Sequence, residues 1–302
     1  MSELVQGVAA KAPGDSASSH RTNRQYVVAI ITSPAFLPGI AVIASLCFVY
    51  WNLLKTLLPL YLDSEGYYSH GFFMPLTACY AISRNWSKLV KTPVKPSWWA
   101  LIPLAILVVL LRPAIGASLL ALMSVMLIFS MLAGVWFVAG WRWMVGVASP
   151  ICYLLLGLPV WSMAINTYTN PLQLLSTRVA FYMLKLTQFS PMQDGTVIHL
   201  DHFNLDVGVP CSGLKLIVAL SAFTWFFMMI ARLKPWANLL LAGLVLPMAL
   251  FFNGLRIAMI GGVGEVYGDA AGHQFHDYSG YIMLLICFFS FYKIARWLGW
   301  KD

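Results

Sequence analysis

The stretch PCSGLKLIVALSAFTWFFMMIAR, residues 210–232, decides the fold class. From Gly213 to Ala231 it carries one charge, Lys215, in 19 positions, and Arg232 closes it. About 20 apolar residues are what a bilayer span needs, and a basic residue directly after such a run marks a cytoplasmic end. The rest of the chain repeats the pattern. Of its 302 residues 60% are apolar and 10% charged, with mean hydropathy +0.76. A soluble domain carries about 25% charged residues, so this composition excludes one and describes a polytopic membrane protein. The net charge of +8 lies in short clusters between apolar runs, which argues against nucleic acid. Five cysteines, mostly inside apolar runs, do not form a disulfide framework.

Apolar runs at 34–56, 72–86, 98–114, 117–139, 143–165, 213–231, 236–260 and 279–298 predict an all-α integral membrane fold of about eight transmembrane helices. The run at 72–86 is the shortest of these. Residues 1–26, polar and without a signal-peptide core, read as a disordered cytoplasmic tail, and 27–302 as a single polytopic domain. With the N-terminus inside, 13 of 19 basic residues face the cytoplasm and 8 of 11 acidic residues face out. The charge distribution therefore chooses N-in, C-in.

The connection 166–212 is too long for a turn. Its first part, 168–190, has helical spacing with Arg178 and Lys185 on a polar side and predicts an outer-face amphipathic helix. Residues 197–209 alternate, with Asp201 to Asn204 as a turn, and predict a short β-hairpin before the sixth helix.

Ionisable residues at the ends of spans are costly and ask for a reason. Cys211 opens the sixth helix, Arg256 lies late in the seventh, and His276 starts the eighth. Each stands 20 or 21 residues from the inner end of its helix, which is about 30 Å at ~1.5 Å per residue. A thiol, a guanidinium and an imidazole thus share one plane at the outer interface. A thiol is nucleophilic as its thiolate, an imidazole moves the proton, and a fixed cation stabilises an oxyanion. The combination suits acyl transfer through a thioester. Cys47, Cys79, Cys152 and Cys287 fall within spans and read as small packing residues. On chemistry alone His70, His199, His202 and His273 compete with His276, and Arg256 could equally be a snorkelling or ion-paired side chain.

At these residues the sequence resembles the exosortase/archaeosortase family of polytopic cysteine transpeptidase-like enzymes. The resemblance rests on Tyr68-Ser69-His70-Gly71-Phe72 with Pro75-Leu76, on Gly195-Thr196-Val197-Ile198, on Pro210-Cys211-Ser212-Gly213-Leu214, on Asn253-Gly254-Leu255-Arg256, and on His276 with Gly280. It implies Cys211, Arg256 and His276 as the catalytic trio, with His70, Asn253, Ser212 and Gly213 shaping the substrate pocket. It further implies a multi-pass protein of the bacterial inner membrane with a periplasmic active site, and no cofactor or metal. The implied partners are secreted proteins with a C-terminal sorting signal: a motif such as Pro-Glu-Pro, a transmembrane helix and an Arg-rich end. Extracellular polysaccharide machinery is a further implied partner. The chain departs from the family pattern at Lys215, where Arg is common, and is expected to lack the soluble domain of some members.

Two other classes remain open on the sequence. One is a metal-dependent membrane hydrolase built on His199, His202, His273 and His276 with Asp201 and Asp277. The other is a transporter or polysaccharide-assembly component, although transport sites usually lie near the bilayer midplane.

Overall fold

The computed structural model describes residues 36–63 and 66–300, and the expected tail at 1–26 lies outside them. Helices α1 (Phe36–Val49) and α2 (Trp51–Leu62) meet at a bend of 73°. The buried Tyr50 pins that bend by a 2.9 Å hydrogen bond between its hydroxyl and Ser130 Oγ. A 3₁₀ turn (Ser69–Phe73) leads into α3 (Met74–Arg84) and the single turn α4 (Trp86–Leu89). Then come α5 (Leu101–Gly116), α6 (Leu120–Ala139) and α7 (Trp141–Tyr153), a 3₁₀ turn (Leu154–Gly157) and α8 (Ser162–Lys185). Strands β1 (Met192–Asp194), β2 (Val197–His199) and β3 (Asn204–Asp206) follow, then a 3₁₀ turn (Val209–Cys211) and the three helices α9 (Leu214–Ala231), α10 (Pro235–Tyr267) and α11 (Asp269–Trp297).

Among the described residues five helices are long and apolar enough to cross a membrane, or seven if each bent pair is one span. The expected eight is not reached. The shortfall is at 72–86, where α3 has only 11 residues, about 16 Å of rise. The run 143–165 is also not one helix. It ends at Tyr153, and after a 3₁₀ turn α8 departs at 60°. Exposed Phe48, Val109, Leu239 and Leu285 form the apolar exterior expected where lipid replaces water.

The last two helices exceed their expected limits. Helix α10 continues to Tyr267 and α11 starts at Asp269, giving 33 and 29 residues. At ~1.5 Å each these are about 50 and 44 Å long against a ~30 Å hydrocarbon core. Hydropathy falls after 260 because the side chains become polar, but the backbone hydrogen bonds run on. His276 therefore lies inside α11, two turns from its start.

The expected hairpin is present as β2–β3, with Ile198 opposite Leu205, and β1 adds a third antiparallel strand. Nothing in Met192-Gln193-Asp194 alternates or is β-branched, so the sequence pattern gives no sign of β1. Ile198 and Leu205 are buried while His199, Asn204 and Asp206 are exposed, the two-residue period of a half-buried sheet. The buried face forms one apolar cluster with Ala180 and Leu184 of α8, Ile257, Ala258 and Ile260 of α10, and Cys211. A second cluster joins α9, α10 and α11 through Leu220, Leu241 and Cys287.

Candidate active site

The site is built on the seven residues, 207–213, that carry the chain from β3 into α9. Gly213 adopts φ +81°, a conformation glycine reaches freely, and this turns the chain into the helix. A side chain there would also meet Asn253, whose Nδ2 would lie 2.9 Å from the added Cβ. The same Asn253 Nδ2 donates to the Cys211 carbonyl at 2.7 Å. From α8, Ser176 Oγ donates to the Ser212 carbonyl at 3.1 Å, and Gln173 Nε2 donates to the Val207 carbonyl. Three side chains from two helices thus satisfy carbonyls that no ladder or helix claims, and they fix the loop. The Cys211 amide is itself used, donating to the Gly208 carbonyl at 2.9 Å. Cys211 sits three residues before α9 rather than opening it.

Cys211 Sγ lies 3.2 Å from His276 Nε2, across 65 residues of sequence. The thiol is buried and the imidazole half-exposed. His276 Nδ1 faces Asp277 Oδ1 at 3.4 Å, a long contact to a mostly exposed carboxylate. With Nδ1 carrying the proton toward Asp277, Nε2 accepts from the thiol, which is the geometry of a thiol and its base.

Arg256 approaches from α10. Its Nε donates to Ser279 Oγ at 3.0 Å and its Nη2 to the His276 carbonyl at 3.2 Å. Ser279 Oγ donates in turn to the same carbonyl at 3.0 Å. The guanidinium therefore grips the turn of α11 that presents His276. It lies over Gly280, where a Cβ would stand 3.6 Å from the guanidinium, in ordinary contact.

The expected trio thus converges, as do Asn253, Ser212 and Gly213. His70 takes a different place. Its Nε2 donates to the Leu156 carbonyl at 3.1 Å, tying the 3₁₀ turn before α3 to the one after α7. Among the described residues it makes no hydrogen bond with Cys211, Arg256 or His276. The other histidines disperse: His199 to Asn204, His202 to Glu265, His273 to Asp269. No three His, Cys, Asp or Glu side chains come together to hold a metal among the described residues. Ser279, Gln173 and Ser176 were not legible as functional residues. Only the three-residue spacing of Gln173 and Ser176, one face of a helix, offered a signal. That face turns inward to the nucleophile loop, whereas the exposed side of α8 mixes Leu174, Leu175 and Tyr182 with Arg178. A small apolar cavity of about 140 Å³, lined by Leu156, Trp161, Ile165, Tyr168 and Leu214, opens beside the start of α9.

The sequence profile of the family described as Transmembrane exosortase (Exosortase_EpsH) matches residues 62–292. The chain belongs to this exosortase family. The match runs from before the turn containing His70 to beyond His276 in α11, and with the apolar helices it makes this exosortase a multi-pass membrane protein. Comparison of the exosortase with curated proteins and with solved structures returned no match.

Proposed function

We propose that this exosortase is a membrane-embedded cysteine endopeptidase and transpeptidase that cleaves C-terminal sorting signals of secreted proteins. The observation that carries the reading is the 3.2 Å approach of Cys211 Sγ to His276 Nε2. His276 takes the thiol proton, and the sulfur attacks the carbonyl carbon of the scissile peptide. The tetrahedral oxyanion draws on the positive charge of Arg256. Collapse breaks the C–N bond, His276 returns the proton to the leaving amine, and the upstream part stays as a thioester on Cys211. Water or an acceptor amine then attacks the thioester and releases the thiol.

The substrate class fits the charge distribution. A tail helix with an Arg-rich end would insert with that end in the cytoplasm and present the motif above it in the plane of Cys211. On this reading the protein sits in the inner membrane, N-in and C-in, with Cys211 at the periplasmic face. That orientation requires Ser69–Phe73 and α3 to cross as a unit, about 26 Å of helix. Polysaccharide machinery enters as a source of acceptors.

The test is incubation of purified protein with a tail-bearing substrate. Wild type should yield the shortened product and a hydroxylamine-sensitive adduct at Cys211, and Cys211→Ala neither. Equal cleavage by Cys211→Ala would end the proposal.

A further inference from the structure

Above the level of Arg256 and His276, α10 runs on to Tyr267 and α11 starts back at Asp269, so the two helices form a corner that rises beyond the site. Every acidic residue described is exposed except one, Glu265 on this corner. Its side chain is 8% exposed. A carboxylate so enclosed is costly unless its oxygens are bonded. The bonds come from the β2–β3 turn: the His202 amide donates to Oε1 and Oε2 at 3.2 and 3.0 Å, and His202 Nδ1 lies 2.8 Å from Oε1. The next residue, Phe203, fills a notch between the two helices. A Cβ at Gly264 would stand 2.6 Å from its ring, and one at Gly272 would stand 3.1 Å from it. The turn therefore holds both arms of the corner, by charge on α10 and by shape between α10 and α11.

Both partners of the reactive pair hang from this joint. Gly272 precedes His276 by one helical turn, and Phe275 packs on the same apolar cluster as Phe203. In the other direction the chain passes from Phe203 through β3 to Cys211, with Leu205, Val207 and Cys211 in that cluster. We propose that Glu265, through its grip on His202 and Phe203, is a positioning residue that sets the approach of His276 to Cys211. It touches neither side chain of the pair. The inference rests on the peptidase reading for its purpose, but the geometry it explains can be measured without a substrate.

The measurement is the pH profile of iodoacetamide alkylation at Cys211, read by mass spectrometry of its peptide from the full-length protein in detergent. Loss of the His276 partner lowers the fraction of reactive thiolate near neutrality, and His276→Ala calibrates that change. Glu265→Ala should accumulate normally, alkylate on the order of tenfold more slowly at about pH 7, and shift toward the His276→Ala profile. Glu265→Gln, whose amide oxygen still accepts from the His202 amide, should restore most of the rate. Phe203→Leu, which thins the wedge and leaves the carboxylate bonds, should shift the profile in the same direction and covers the case in which Glu265→Ala does not accumulate. Wild-type profiles in whichever of the Glu265→Ala and Phe203→Leu proteins accumulate would overturn the proposal. Shifted profiles in these variants, together with a wild-type protein that cleaves no tail-bearing substrate, would leave the positioning role standing and remove the peptidase reading.

Discussion

Arg256 Nε donates to Ser279 Oγ at 3.0 Å, and its Nη2 reaches one turn back to the His276 carbonyl. A planar fork makes both bonds at once from one charged group, and lysine cannot reproduce it. Arg256→Lys should insert and accumulate normally while cleavage falls on the order of 10²-fold or more. A quantitative blot of precursor against product, normalised to enzyme level, measures this, and a wild-type rate would take Arg256 out of the mechanism.

His276→Ala should lose activity to the same degree. His273→Ala should be mild, since His273 is exposed and its contact is Asp269, 3.6 Å away on the same face of α11. A large loss for His273→Ala with normal abundance would mean that the wrong histidine has been assigned.

Ser279 is fully buried and its hydroxyl both accepts from Arg256 and donates to His276. Ser279→Ala should leave the Arg256 Nε without this acceptor in a buried place, costing about 1–3 kcal/mol of stability. Cleavage should fall with kcat rather than KM, because the substrate does not contact the hydroxyl. Thermal unfolding in detergent and steady-state kinetics separate the two effects.

Gly213→Ala combines a left-handed φ with a Cβ pressed against the Asn253 amide. Backbone strain of this kind costs about 1–3 kcal/mol. The displaced amide should also release the Cys211 carbonyl, so Asn253→Ala should reproduce the loss of activity with a normal backbone. Full activity in Gly213→Ala would show that the carbonyl bond is dispensable.

The contact between His202 and Glu265 should depend on pH. The hydrogen bond to Glu265 and then its charge, with a smaller contribution from Asp201, raise the His202 pKa above its ordinary 6.5. A raised histidine pKa contributes stability that is fully present below about 6.5 and is lost as the pH climbs through the raised value. Amides of residues 200–206, followed by hydrogen exchange and corrected for the intrinsic pH dependence, should therefore lose protection on going from about pH 5.5 to about pH 8.5. His202→Asn should flatten that dependence. Equal protection across the range in wild type would contradict it.

The sequence by itself determined that the chain lives in a bilayer, because 60% apolar residues in runs of span length leave no other solvent for them. It also nominated Cys211, Arg256 and His276, because polar groups are costly at span ends and these three fall at equal depth from the inner face, while the choice of His276 over the other histidines came from the family resemblance. Hydropathy, however, reports where a helix meets lipid, not where its backbone stops. The run at 72–86 is a short helix, 143–165 breaks at Tyr153, and α10 and α11 continue beyond the apolar runs on polar residues. Only the tertiary structure decided the contacts that make the site rigid: Ser279 under Arg256, Gln173 and Ser176 on the nucleophile loop, Phe203 between Gly264 and Gly272. These residues are ordinary in type and, apart from the three-residue spacing of Gln173 and Ser176, carry no pattern. Their partners lie tens of residues away, so their roles exist only once packing has brought the separate helices together.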